Sequence, residues 1–446
     1  MAKILISALG TGSLKEEHTH KGEYEPAVYK LLGSDREYKT SFVAAALSEY
    51  LMVDRIFLIG TSKSMWDEVY NYFSKVSKQQ FYESYWVELG EKVTSFKAGD
   101  IKINENDLEN VNKAIDGYLK DIRGTALGGS HCYIIDYGLN EAELWNNFDV
   151  IMRMGDNLKE GDEIYLDITH SFRSIPLFNY LMLDLIKILK LNKDFKLSGL
   201  FYGMLDVVNE LGYAPIVDLS PFYNITIWAR GAYNFINYGN GYVLADLIND
   251  ENISSIIRNI SDIVSINHID EFKREIDRLN DSLKDIESLD PVIKYMRPFL
   301  MSFTDRFKGI NSSGELQLAL AEWYFDNKRF AQGYICLAES IITRILQIYR
   351  GKNIKINMSD NTYRKKIKGL IHSQQFKERP EYKDLHKEYR TIQKIRNTIA
   401  HAGYADKNEY RDHIKEANIH LNKVRKYVFN NKELEKLPEL FPFNRL

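Results

Sequence analysis

Three side chains near the end of the sequence, Arg396, Asn397 and His401, have the types and spacing of a phosphodiester-cleaving group. Arginine neutralises a phosphate, histidine moves a proton and asparagine orients a ring. They stand in Gln393-Lys394-Ile395-Arg396-Asn397-Thr398-Ile399-Ala400-His401-Ala402-Gly403, which reads as the last turns of a helix. Ile392, Ile395, Ile399 and Ala402 recur at steps of three and four, and Gly403 suits the position after a helix end. At about 100° per residue, Asn397 and His401 share the face turned away from that stripe, with Arg396 at its edge. The same residues also suit a solvated helix end whose cations complement the helix dipole.

A second group lies in Asp167-Ile168-Thr169-His170-Ser171-Phe172-Arg173-Ser174-Ile175-Pro176. Here a strand ends in a carboxylate, a turn rich in hydrogen-bonding groups follows, and Ser174 with Pro176 can open a helix. With Asp167 as a turn former and Ser174 as the cap, the four residues Thr169, His170, Ser171 and Arg173 at one strand end exceed what capping needs, and without a nucleophile in view the stretch reads as a binding turn. Gly10-Thr11-Gly12-Ser13 resembles a phosphate-binding turn, and Thr61-Ser62-Lys63 offers hydroxyls and a lysine where a helix begins. The six-residue dinucleotide fingerprint is broken by Lys15 and there is no Walker A sequence, which argues against NAD and ATP chemistry. Two such loops on neighbouring strands imply a nucleotide-like ligand.

These loops need strands to carry them. Lys3 to Ala8, Arg55 to Ile59, Cys132 to Asp136, Glu163 to Asp167 and Leu197 to Tyr202 are short apolar runs followed by turn residues. Helix-like stretches run from Lys39 to Leu51, Met65 to Val76, Leu108 to Ile122 and Ile175 to Leu189. Strand and helix alternate, so residues 1–221 are expected to form a Rossmann-like α/β domain with a mostly parallel sheet. From Tyr223 onward the pattern is helical, with breaks at Asn237-Tyr238-Gly239, Asp290-Pro291 and Ile310 to Gly314. We expect a helical connecting region over residues 222–310 and a helical domain over 311–446, with helices from Glu315 to Phe325, Arg329 to Tyr349 and Lys383 to Ala402. The basic run Tyr363-Arg364-Lys365-Lys366-Ile367-Lys368 reads as a solvated face.

Composition narrows the function classes. At 446 residues with 44% hydrophobic and 13% aromatic content, the chain can bury two or three cores. A formal charge of −3 from 59 basic and 62 acidic residues gives no global attraction to nucleic acid, so an RNA site must be a local patch. Cys132 and Cys336 lie apart in apolar runs, which suggests buried thiols and excludes a cysteine zinc site. No metal cluster, signal peptide or membrane-spanning run is legible, so the sequence reads as a cytoplasmic protein without a metal or resident cofactor and without a membrane partner.

The two motifs together resemble a known family. Asp167-Ile168-Thr169-His170 resembles the Asp-x-Thr-His signature of CRISPR-associated proteins with a CARF domain, a Rossmann-like sensor of cyclic oligoadenylate. Arg396-Asn397-Thr398-Ile399-Ala400-His401 matches the Arg-x4-His motif of HEPN ribonucleases, and the order of sensor and nuclease is the family's. Ser171 stands where that signature continues with glycine. The resemblance implies a homodimer, with higher assembly left open, that holds cyclic tetra- or hexa-adenylate as activator at Gly10 to Ser13, Thr61 to Lys63 and Asp167 to Ser174. It implies metal-independent cleavage of single-stranded RNA by Arg396, Asn397 and His401, leaving a 2′,3′-cyclic phosphate. About 140° separates Arg396 from His401 around one helix, so two symmetry-related helices would complete one site. Two other readings remain: a ligand-sensing regulator whose helical domain only mediates contacts, and a ring nuclease that degrades its own ligand.

Overall fold

The computed structural model describes residues 1–12, 24–77, 80–94, 102–170, 185–186, 195–269, 271–285, 291–352, 355–358, 360–401 and 409–445. By contacts the chain divides into two compact units, Met1–Asn224 and Ile225–Leu446.

The first unit is built on one eight-stranded sheet: β1 (Lys3–Leu9), β2 (Ala27–Leu31), β3 (Glu37–Thr40), β4 (Arg55–Gly60), β5 (His131–Ile134), β6 (Glu163–Asp167), β7 (Lys196–Gly203) and β8 (Ala214–Asp218). Its order is β3-β2-β8-β7-β6-β1-β4-β5. β1 pairs in parallel with both β4 and β6, β4 with β5, β6 with β7 and β2 with β8; only β2–β3 and β7–β8 are antiparallel. β1 and β4 read as nearly continuous apolar runs, with Ser7 the interior exception in β1, because side chains on both faces are covered. Leu5 and Leu9 join a core with α1 (Val43–Leu51), α2 (Trp66–Val76) and α4 (Glu109–Arg123), whereas Ile4 and Ile6 join the opposite core with α5 (Glu141–Asp156). The result is a three-layer sandwich in which the five expected strands are all present.

The structure adds three strands to that expectation. β2 and β3 are short and bury alternate residues, such as Tyr29 and Leu31 or Tyr38 and Thr40, so charged residues interrupt their apolar pattern, and β8 is a five-residue run that contains Pro215. The helix expected from Lys39 begins only at Val43, since residues 37–40 pair with β2. Helices α3 (Glu83–Thr94) and α5 were not anticipated. The α5 start was visible: Asn140 accepts from the Glu143 backbone N–H at 3.0 Å, and the Glu143 carboxylate takes the N–H groups of Gly138 and Leu139. Most of the stretch from Ile175 to Leu189 lies outside the described residues.

The second unit is helical, and buried residues from Trp228 to Phe443 form a single core. Its main elements are α6 (Ser220–Tyr238, which begins in the first unit), α7 (Glu251–Ile266), α8 (Phe272–Ser282), α9 (Pro291–Asp305), α10 (Ser313–Asp326), α11 (Phe330–Gly351), α12 (Asn361–His372), α13 (Pro380–Ala400) and α14 (Glu409–Val424). α11 runs through the middle and packs against α10, α12, α13 and α14. α13 starts with Pro380 in its first turn, where a missing N–H costs nothing, and buries Tyr382, Leu385, Tyr389, Ile392 and Ile395 along one stripe. Among the described residues, no helix is long and apolar enough to cross a membrane.

Candidate functional site

At the C-terminal edge of the sheet, the neighbours of β1 lie on opposite sides of it, and the crevice between β1 and β6 is where such sheets take ligands. Ser7 pairs with Asp167 across that crevice, and Leu9 pairs with Gly60 on the other side. The loops Gly10–Gly12, Thr61–Lys63 and Asp167–His170 are thereby brought to one edge. Ser13, Ser171, Arg173 and Ser174 lie outside the described residues.

The turn after β6 is built from its carboxylate outward. Asp167 has no exposed surface. It accepts hydrogen bonds from the Ser7 hydroxyl, the Thr169 hydroxyl and, at 2.9 Å, the Thr169 backbone N–H. Thr169 Oγ1 in turn accepts from the Gly203 N–H at 2.7 Å, tying β6 to β7. Burial lifts the Asp167 carboxyl to about 6 against the opposing pull of these bonds. Asp167 and Thr169 therefore hold the turn, and His170 is the member presented beyond it. Its Nε2 lies 3.3 Å from the Tyr29 hydroxyl, and burial lowers its pKa to about 4, so it is neutral near pH 7. Tyr29, on the unanticipated β2, stays protonated because burial and then the Asp167 charge raise its pKa.

The two other loops are stitched together beneath their exposed edge. Gly12 has φ +70°, and a Cβ there would meet the Tyr24 ring at 2.4 Å, so glycine is required twice over. Tyr24 donates to the buried Asp67 at 2.9 Å. Met65 N–H donates to Gly10 O at 3.1 Å, and Ser64 Oγ donates to Leu9 O at 2.7 Å. Thr61 is buried and its hydroxyl accepts from the Lys63 N–H at 3.3 Å, while Lys63 Nζ donates to Lys92 O at 2.9 Å. Thr11 and Gly12 are exposed and Ser62 is half-buried. Sequence reasoning did not find Ser7, Tyr24 or Tyr29. The Ser7 hydroxyl, a polar atom inside the apolar run of β1, was the available signal.

The second group lies on α13. Arg396 is half-buried, Asn397 and His401 are exposed, and Arg396 Nη1 donates to Asn397 Oδ1 at 3.2 Å. Asn397 thus orients the arginine rather than the histidine in this structure. His401 is the residue that ends the helix, its N–H donating to Asn397 O at 3.0 Å. Beside them, Glu339 of α11 forms ion pairs with Arg364 and, at 3.6 Å, Lys368 of α12. Burial alone would raise the Glu339 carboxyl, but Arg364, Lys368 and Arg396 hold it below its usual value. The described residues contain no group of three metal-ligating side chains.

Residues 4–206 match the family described as the CARF domain of the CRISPR system endoribonuclease Csx1, and residues 224–312 match the second domain of the CRISPR-associated protein MJ1674. A curated relative, the CRISPR-associated protein MJ1674 of Methanocaldococcus jannaschii, is 40% identical over 415 residues, or 92% of this chain. The chain spans 63% of that relative's length. Among solved structures, Enterococcus italicus Csm6 bound to cyclic hexa-2′-fluoro-hexa-dAMP is similar with a TM-score of 0.41 at 12% identity, covering 100% of this chain and 98% of that one. At the coarse level the likeness is to CRISPR-associated proteins carrying a CARF domain.

Proposed function

We propose that the chain is a cyclic-oligoadenylate-activated, metal-independent endoribonuclease of single-stranded RNA that serves type III CRISPR antiviral defence in the cytoplasm. The observation that carries this reading is the Arg396–Asn397–His401 line at an exposed helix end, in a chain whose first half matches a CARF domain. The activator, cyclic tetra- or hexa-adenylate, sits at the crevice between β1 and β6 against Gly10 to Ser13, Thr61 to Lys63, His170, Ser171, Arg173 and Ser174, with Asp167 and Thr169 shaping the turn beneath it.

In the cleavage step the substrate's own 2′-oxygen forms a bond to the adjacent phosphorus and the bond to the 5′-oxygen breaks. The proton leaves the 2′-hydroxyl for a base, and an acid protonates the departing 5′-oxygen. The products are a 2′,3′-cyclic phosphate and a 5′-hydroxyl. Arg396, held by Asn397, offsets the charge that builds on the phosphorus oxygens, and His401 transfers the proton or stabilises the charge. One helix supplies one arginine and one histidine, and a homodimer sets two such helices face to face to complete the site.

Arg396→Ala and His401→Ala are each expected to lower RNA cleavage by roughly 10²–10⁴-fold, the range for losing one acid-base or charge-stabilising group. Cyclic oligoadenylate binding and the melting temperature should be unchanged. Wild-type rates in either purified variant would remove these residues from the mechanism. Ligand binding by the wild type with no cleavage would favour a sensing regulator, and loss of the ligand itself would favour a ring nuclease.

A further inference from the structure

We infer that the groove between α12 and α13 is the track along which a single-stranded RNA backbone reaches Arg396, with Lys368 and His372 as its phosphate-binding side chains. This rests on the nuclease reading above.

Arg364, Lys368 and His372 recur every four residues and form one stripe along α12. Successive members are about 6 Å apart along the helix axis, comparable to one nucleotide step of an extended strand. α12 carries no Asp or Glu from Asn361 to His372. Glu339 of α11, beside this stripe, serves three cations at once: Arg364 and Lys368 by ion pairing and Arg396 through its field. Three positive charges around one negative charge leave the groove electropositive, although the whole chain carries a formal charge of −3.

The stripe also meets the proposed catalytic helix. His372 Nε2 lies 2.8 Å from Gln393 Oε1 of α13, and His386 Nδ1 donates to Ile371 O at 2.7 Å, which fastens the end of α12 to α13. Gln393, Asn397 and His401 follow one another at four-residue steps, so a backbone lying against His372 and Gln393 continues one turn later onto Asn397 and Arg396. His372 is exposed and Lys368 half-exposed, with its side chain 36% accessible, so both can reach a phosphate. Arg364, at 18%, is committed to Glu339 and positions the groove. The basic run that reads as a solvated face in the sequence is thus divided by the fold: Lys366 turns to the Phe443 ring, while Lys368 faces the groove with Arg364.

The test uses the full chain with cyclic tetra- and hexa-adenylate, following cleavage of a labelled RNA and binding of a 2′-O-methyl RNA that cannot be cleaved. Lys368→Gln should raise KM several-fold with kcat unchanged. It should also reduce the slope of log affinity against log salt by about 0.7, the effect of losing one phosphate contact on a single strand. Lys368→Arg should restore both, and His372→Gln should raise KM in the same way. Unchanged KM and salt slope in Lys368→Gln, beside an inactive Arg396→Ala, would overturn the groove and leave the nuclease reading standing. Full activity of Arg396→Ala would overturn both.

Discussion

Asp167 is a carboxylate with no exposed surface whose pKa rises to about 6 in the fold. An acid with a raised folded pKa favours the folded state while protonated. Its contribution is complete below about pH 4, is lost as pH rises through 6, and amounts to about 3 kcal/mol. Asp167→Asn does not titrate, so the stability of wild type relative to this variant should fall by about that amount between pH 4 and 7. Denaturant unfolding of both proteins across that range checks it, and a pH-independent difference would contradict the assignment. The residue types of this turn were legible in the sequence, but their division of labour was not. Ser7, Thr169 and Gly203 are distant in sequence, and only the strand register shows that they enclose Asp167 and leave His170, half-buried against Tyr29, as the next residue of the turn.

α13 illustrates how an element fixes a site. Its apolar stripe faces the core of the second unit, and on another face Glu388 pairs with the buried His420 of α14 and, at 3.3 Å, with Lys423. Glu388→Ala removes the acceptor of the buried His420 Nδ1, leaving that ring only Glu416 at 3.5 Å, and should destabilise the second unit by about 3 kcal/mol, as removal of one member of a buried pair does. Glu388→Gln, which keeps an acceptor oxygen, should cost less, and equal losses for the two variants in equilibrium unfolding would show that the pair is immaterial. Long elements with a steady period, such as α11, α13 and the strands β1 and β4, were readable because burial imposes the pattern directly. β2 and β3 were not, since each is a few residues long and buries alternate positions beside charged ones, and β8 is only five residues with a proline at its second position. The Arg396 helix was recognisable from its stripe, yet its cationic neighbours Arg364 and Lys368 gained meaning only once Glu339 was placed beside them.

At the scale of the molecule, Met1–Asn224 is built around a sheet covered on both faces and Ile225–Leu446 around a helical core of its own. The proposed coupling requires that cyclic oligoadenylate change the activity of residues in the other unit. The most direct measurement is cleavage of a single-stranded RNA and of DNA of the same sequence by the full chain in EDTA, with and without cyclic tetra- or hexa-adenylate. The account predicts that one of the rings accelerates RNA cleavage to 2′,3′-cyclic phosphate ends while the DNA survives. Binding of both rings with RNA left intact, or cleavage of the DNA at a comparable rate, would contradict it.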